Sequence, residues 1–204
     1  MDKAKLNFFV EKSFNLVAAV IYGVMAYRMG LDWLATGRLS SVFFLTLESA
    51  IIVLFLIRNM PKQTSTQPYD WFVALMATAL PMLLRPAMTV HDTALLLTLQ
   101  LAGVTMSIMA VLFLNKSFGI VPANRGVKRG GLYRYVRHPI YAGYILTYSA
   151  YILQNMTQAN ITLMLLFLVF IVLRIFAEEK LLAQDPAYAD YMKQTRWRIL
   201  PGVF

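Results

Sequence analysis

The chain has 204 residues and a net charge of +9, with 59% hydrophobic and only 14% charged residues. A soluble domain of this size needs more polar surface, so the composition excludes an ordinary globular fold and favours an integral membrane protein. The lack of cysteine excludes thiol catalysis, disulfides and thiolate-bound metal, and two histidines, His91 and His138, argue against a histidine-cluster site, so we predict no metal.

Six apolar segments follow one another along the chain. Several approach the roughly 20 residues that cross a bilayer as a helix, whereas the third and fifth are short. Lipid cannot satisfy the backbone of an open strand, so the segments are expected to be helical. We predict an all-α, polytopic bundle of about six transmembrane helices. The predicted spans are residues 8–27, 39–57, 69–84, 93–114, 139–153 and 161–182.

The basic residues alternate between the ends of these segments. Of the 19 Lys and Arg residues, fifteen lie in the N-terminal region, the second and fourth connections and the C-terminal tail. The other connections hold only Arg28, Arg38 and Arg85. Cytoplasmic loops of membrane proteins carry an excess of Lys and Arg. We therefore predict a multi-pass protein with both termini in the cytoplasm, and membrane lipids rather than nucleic acid as the partner of its positive charge.

Glu48 lies at the centre of the second apolar segment. A charge at that depth costs several kcal/mol unless it is paired or protonated. Two interpretations remain open, namely a functional or pairing role with Arg174 as partner, and a protonated, hydrogen-bonded spectator.

The fourth connection, NKSFGIVPANRGVKRGG over residues 115–131, is long and glycine-rich, as functional loops often are. It leads into GLYRYVRHPIYAG, in which Pro139 suits the first position of a helix. Arg137 and His138 then lie at the positive end of that helix, where free N–H groups favour a carboxylate or phosphate. The guanidinium of Arg137 adds a bidentate donor.

The sixth segment ends in RIFAEEKLL, residues 174–182. The short connection before it predicts an antiparallel hairpin with the fifth segment, so Glu178 and Glu179 are expected at the same membrane face as His138. Adjacent helical residues diverge by about 100°, so at most one glutamate faces a ligand. Arg174 and Glu178 are four residues apart and can form an ion pair. A site with anion-binding and cation-binding ends suits an amino acid joined to a nucleoside, such as S-adenosylmethionine.

This arrangement resembles the isoprenylcysteine carboxyl methyltransferase family of integral membrane enzymes and its phospholipid methyltransferase relatives. The resemblance covers about 90 residues and depends on several short motifs taken in order. These are Tyr133, Arg137-His138-Pro139, Tyr141, Gly143, Glu178-Glu179, Tyr188, Tyr191, Arg196 and Pro201-Gly202.

The resemblance implies a cytoplasmic pocket for S-adenosylmethionine, with Arg137, His138, Tyr141 and Glu179 in contact with the cofactor. It implies supporting or catalytic roles for Glu178 and Arg137, and Arg174 or Arg196 as the residue that orients the acceptor. The remaining cofactor-site residues it suggests are Tyr133, Pro139, Gly143, Tyr188 and Tyr191. Residues 115–204 would form the catalytic core, and residues 1–114 would hold the helices that select the acceptor.

The predicted activity is methyl transfer to a lipophilic or lipidated acceptor that enters from the membrane. A carboxylate acceptor, as in isoprenylcysteine O-methylation, is the first expectation, and it needs no general base. Phospholipid N-methylation and thiol S-methylation are alternatives. An NADPH-dependent membrane reductase and a non-catalytic membrane binding protein are the alternatives from other functional classes.

Overall fold

The computed structural model describes residues 3–87 and 93–204; His91 lies outside the described residues. The described chain is mainly helical, and its single sheet has two short strands. The helices are α1 (Lys3–Thr36), α2 (Leu39–Ile57), α3 (Pro68–Met82), α4 (Ala94–Leu114), α5 (Pro139–Gln154), α6 (Gln158–Leu182) and α7 (Pro186–Gln194). The strands are β1 (Gln63–Thr64) and β2 (Ala123–Asn124), and 3₁₀ turns cover Asn115–Ser117 and Gly131–Arg134.

The predicted helical membrane bundle is confirmed. In the described chain, four helical stretches are long and apolar enough to cross a membrane, and these are Lys12–Thr36, Leu39–Ile57, Ala94–Ser117 and Gln158–Leu182. The two segments that the sequence marks as short form α3 and α5, with 15 and 16 residues. Both fall below the roughly 20 residues of a typical span. The count of six spans therefore stays a prediction.

Two helices differ from the sequence-based expectation. The first helix continues to Thr36, nine residues beyond its predicted end, because Arg28 and Asp32 interrupt an apolar pattern without breaking helical geometry. The C-terminal helix α7 is too short and polar to appear as a span. It begins with Pro186, and the side chain of Asp185 accepts a hydrogen bond from the backbone N–H of Ala187 at 2.9 Å.

Close packing of α4 on α5 forms the rigid centre of the bundle. Gly143 of α5 faces Ser107 and Gly103 of α4, and a Cβ at residue 143 would lie 2.7 Å from the carbonyl oxygen of Gly103. Gly103 in turn faces Thr147, and a Cβ there would lie 2.7 Å from the Thr147 backbone nitrogen. Small residues four apart on both helices let the backbones approach, as is common where helices pack in membranes.

The last residues of α2, α4 and α6 and the first residues of α3 and α5 lie at one end of the bundle, which we name the site end. There β1 pairs with β2 in an antiparallel register, Gln63 opposite Asn124, and joins the loop after α2 to the loop after α4. At the opposite end, Asn160 binds both backbone groups of Arg85, and Asn155 accepts from the N–H of Ala87. Both ends of the bundle are thus tied by hydrogen bonds between loops.

Candidate active site

The C-terminal segment holds the start of α5 in place. The backbone N–H of Arg137 donates to the carbonyl of Trp197 at 2.9 Å, and that of His138 donates to the carbonyl of Arg198 at 2.8 Å. The Arg137 side chain also donates through Nη2 to the carbonyl of Arg196 at 3.2 Å. Because Pro139 starts the helix, the two preceding residues keep an extended geometry that these partners can reach.

Glu179 joins the end of α6 to the start of α5. Its Oε1 lies 3.1 Å from Nε2 of His138 and 3.2 Å from Nε of Arg137, and its Oε2 accepts from Nε of Arg198 at 3.0 Å. The N–H on Nε of Arg137 does not point at this oxygen, so that buried atom lacks a hydrogen bond. These contacts confirm the prediction that the start of the fifth helix and the end of the sixth come together.

Glu178 has a different set of partners. Its Oε1 accepts from the hydroxyl of Tyr141 and, at 3.1 Å, from Nε of Arg174, while Oε2 lies 3.7 Å from Nδ1 of His138. The predicted ion pair between Arg174 and Glu178 is confirmed. The rings of His138 and Tyr141 stack with an interplanar angle of 8° and a centroid distance of 5.5 Å.

The guanidinium of Arg174 is held on several sides. It donates to Thr78 Oγ1 at 3.1 Å and to the carbonyls of Gly119 and Ile120 at 3.3 and 2.6 Å. Among the described residues it forms no ion pair with Glu48, so Arg174 as the partner of Glu48 is wrong. Arg174 instead fastens the loop after α4 to α6.

A pocket opens beside this cluster at the site end, with a volume of about 800 Å³ including its mouth. Small-molecule sites usually measure about 300–1,000 Å³. Of the predicted site residues, seven line it: Tyr133, Arg137, His138, Tyr141, Glu178, Tyr188 and Tyr191. The helices α5, α6 and α7 and the loop after α4 thus each contribute to the wall.

Five predicted site residues lie outside the lining of this pocket. Glu179 is buried behind it among three cations, and Arg174 borders a separate interior cavity. Gly143 faces α4, Arg196 is exposed, and Pro139 is buried at the helix start. The geometry therefore presents Glu178, not Glu179, to a ligand in the pocket, whereas the sequence favoured Glu179 as the contact.

The tyrosines of the pocket are neutral hydrogen-bonding groups. Burial raises the pKa of Tyr191 to about 12, and burial likewise raises the pKa of Tyr133 and Tyr188 well above the ordinary value. The Tyr191 hydroxyl donates to the carbonyl of Tyr133 at 2.7 Å, and the rings of Tyr188 and Tyr191 meet edge to face. All three phenols therefore stay protonated at physiological pH.

The loop after α4 supplies lining residues that the sequence reasoning did not single out. Phe118, Val121, Pro122 and Arg125 form one wall, and the exposed Lys128, which sequence reasoning had weighed for a loop over the cofactor, borders the pocket. Arg125 is fixed by a hydrogen bond from Nε to the carbonyl of Asn59 at 3.1 Å. The length and glycine content of this loop marked it as functional, but no residue spacing shows which of its side chains turn inward.

Comparison with protein-family models matches residues 91–185 to the phospholipid methyltransferase family. No curated protein matches the chain. The matched stretch runs from before α4 to the end of α6 and its following turn, so it contains Arg137, His138, Glu178 and Glu179. Residues 91–185 belong to the phospholipid methyltransferase family, and the protein is a membrane enzyme that methylates.

Proposed function

We propose that the protein transfers a methyl group from S-adenosylmethionine to a lipophilic acceptor held in the membrane. The observation that carries this proposal is the pocket at the site end, where Arg137 and His138 of α5 meet Glu178 of α6. The pocket combines cationic and anionic side chains with several aromatic rings, and the methyl donor combines a carboxylate, an ammonium, hydroxyls and a sulfonium.

The residues present fit this donor. The Glu178 carboxylate can accept from ribose hydroxyls or an ammonium, and the buried Nε of Arg137 lacks a hydrogen-bond partner. The faces of Tyr133, Tyr141 and Tyr188 border the same space and favour a positively charged sulfonium.

S-adenosylmethionine supplies a methyl group that is already activated by its sulfonium. The chain must therefore align two reactants and exclude water, and alignment can contribute about 7–11 kcal/mol. The Glu179 cluster holds Arg137 and His138 rigidly, and Arg174 fixes both Glu178 and the loop that forms the facing wall. We infer that these residues position the donor, and that the pocket itself supplies no covalent chemistry.

The acceptor chemistry follows from what the pocket offers. A carboxylate acceptor, such as an isoprenylcysteine, needs a cation to hold it but no general base. The sequence assigned that task to Arg174 or Arg196, yet Arg174 is engaged by four partners and Arg196 is exposed away from the pocket. Lys128 is the exposed cation that lines the pocket. Isoprenylcysteine O-methylation is therefore the first reaction to test, with phospholipid N-methylation and thiol S-methylation beside it.

Donor binding tests the proposal directly. The detergent-solubilised protein is heated with S-adenosylmethionine, S-adenosylhomocysteine or NADPH, and the unfolding midpoints are compared. Both adenosyl compounds are expected to raise the midpoint, because a ligand that binds the folded state stabilises it. Stabilisation by NADPH alone would defeat the proposal in favour of a reductase.

Product analysis then identifies the acceptor. Methyl-labelled donor is supplied with membrane lipids or with an isoprenylcysteine analogue. Base-labile label that is released as methanol indicates an ester, whereas base-stable label in lipid or thiol products indicates N- or S-methylation. Donor binding without any labelled product would identify a non-catalytic binding protein.

A further inference from the structure

A second cavity lies inside the bundle, away from the pocket at the site end. Helices α1, α2, α3, α5 and α6 enclose it, and its volume is about 460 Å³. We name it the inner cavity. Its polar lining includes Tyr22, Glu48, Thr78, Tyr144 and Arg174. Glu48 is only 7% exposed, and its Oε2 has no hydrogen-bond partner among the described residues.

An unpartnered oxygen at this depth is expensive. A buried polar group without a hydrogen bond costs about 1–3 kcal/mol, and an ionised one costs more. Arg174 lines the same cavity but gives its hydrogen bonds to Glu178, Thr78, Gly119 and Ile120. The lining thus keeps an acceptor oxygen available to whatever fills the cavity, which is the situation expected at a ligand site rather than in a packed core.

The inner cavity adjoins the pocket at the site end. Phe118 and Tyr141 border both spaces. Glu48 and Tyr148 also border a third space toward Met25 and Met29 of α1. Tyr148 follows Tyr141 by seven residues on α5, a rise of about 10 Å. An amphiphile whose head lies in the pocket would extend its chain past Glu48.

We propose that the inner cavity binds the chain of the methyl acceptor, and that Glu48 selects acceptors carrying a hydroxyl or N–H group about 10 Å from the methylated group. The carboxyl oxygen of Glu48 accepts a hydrogen bond from that group, which gives the buried oxygen its missing partner. Acceptors with a purely hydrocarbon chain leave Glu48 unpaired and bind more weakly. This inference rests on the proposed methyl transfer for the identity of the ligand.

The test compares matched probes that differ in one donor. The full-length protein in phosphatidylcholine nanodiscs is titrated with 1-dodecanol and with dodecyl methyl ether, and binding is followed by the unfolding midpoint. Wild-type protein is expected to bind the alcohol about fivefold more tightly than the ether, the factor that one net hydrogen bond contributes. Glu48→Leu is expected to remove this difference, whereas Glu48→Gln, which keeps an acceptor oxygen, is expected to retain it.

Thr46→Val is the matched control, because Thr46 lies on the same helix with an exposed side chain that bonds only its own backbone. It is expected to leave the preference for the alcohol unchanged. Equal preference in wild type and Glu48→Leu would overturn the proposal. Since no methyl donor is present, a preference for the alcohol in a protein that yields no methylated product would sink the proposed reaction and leave the site standing.

Discussion

Glu178 and Glu179 are neighbours in the chain but have different surroundings. Glu178 lines the pocket and is 16% exposed at its side chain, whereas Glu179 is 6% exposed and surrounded by Arg137, His138 and Arg198. One turn direction of α6 decides this difference. The first residue is therefore suited to touch a ligand, and the second is suited to hold the residues that do.

Substitution separates these two roles. Glu178→Gln is expected to weaken S-adenosylmethionine binding about tenfold, because a charge-assisted hydrogen bond becomes a neutral one, with little change in stability. Glu179→Gln is expected to lower the unfolding midpoint by about 10 °C, because three cations lose a buried counter-charge at a cost of about 3 kcal/mol. Thermal unfolding with and without the donor measures both effects.

The opposite assignment makes the opposite forecast. If Glu179→Gln loses donor affinity while its unliganded midpoint equals that of wild type, Glu179 is the contact residue that the sequence favoured. Asp190→Asn serves as the control, since that carboxylate pairs only with the exposed Lys193.

At this scale the sequence could predict the cluster but not its orientation. Spacing alone indicates the Arg174–Glu178 pair, and the 100° between adjacent helical residues indicates that one glutamate faces away. Which one does so depends on Arg198, which reaches Glu179 from nineteen positions along the chain. The same long-range folding of the tail decides that Arg174 binds loop carbonyls rather than Glu48.

At the scale of elements, the contact between α4 and α5 is the tightest in the bundle. Gly143 was predicted from a motif to belong to the cofactor site, but its neighbours are Ser107 and Gly103. Its lack of a side chain is required there by the approach of two helix backbones. The motif therefore marks a packing position as well as a binding segment.

Gly143→Ala tests this packing. The added Cβ would clash with Ser107 and with the Gly103 carbonyl, so the unfolding midpoint is expected to fall by the equivalent of about 1–3 kcal/mol. Gly23→Ala on α1 is the control, because a Cβ there meets no atom within 4 Å, and it is expected to be neutral or stabilising. Equal midpoints for the two variants would contradict the packing role.

The docking of α7 depends on a carboxylate at its first turn. Hydrogen bonds from the Asn124 side chain and the Ala187 backbone N–H hold the pKa of Asp185 below its ordinary value of 3.8. A lowered pKa means that the stabilisation is present above about pH 4 and is lost as the pH falls through the folded-state value. Because Tyr188 and Tyr191 line the pocket from α7, loss of this cap also loosens the pocket.

Hydrogen exchange of the α7 amides measures this effect. After correction for the intrinsic pH dependence of exchange, protection of residues 186–194 is expected to fall below about pH 4 in wild type. Asp185→Asn is expected to show the lower protection at neutral pH and little further change on acidification. A wild-type profile that stays flat to pH 3 would show that the Asp185 carboxylate does not hold α7.

At the scale of the whole molecule, hydrophobicity predicted most of the helices and the lengths of the short ones. The third and fifth segments were expected to be short and are α3 and α5. The sequence did not reveal α7, because a nine-residue amphipathic helix has no span-like signal. It also did not reveal the pairing of β1 with β2, since two-residue strands from distant loops leave no periodic pattern.

The orientation of the bundle is the remaining prediction at this scale. The site end carries most of the basic residues, including the loop after α4 and the C-terminal tail, and the positive-inside rule places such an end in the cytoplasm. The chain has no cysteine, so a single introduced thiol reports its own side without background. Lys193 at the site end and Gln158 at the opposite end are both exposed.

In intact bacterial spheroplasts, a membrane-impermeant maleimide is expected to label Gln158→Cys, while Lys193→Cys is expected to react only after the membrane is opened. Both variants replace exposed polar side chains, so neither should disturb folding. Labelling of Lys193→Cys in sealed cells would place the pocket on the outer side. The basic loop would then face away from the anionic inner leaflet, and a cytoplasmic supply of the methyl donor could not reach Glu178.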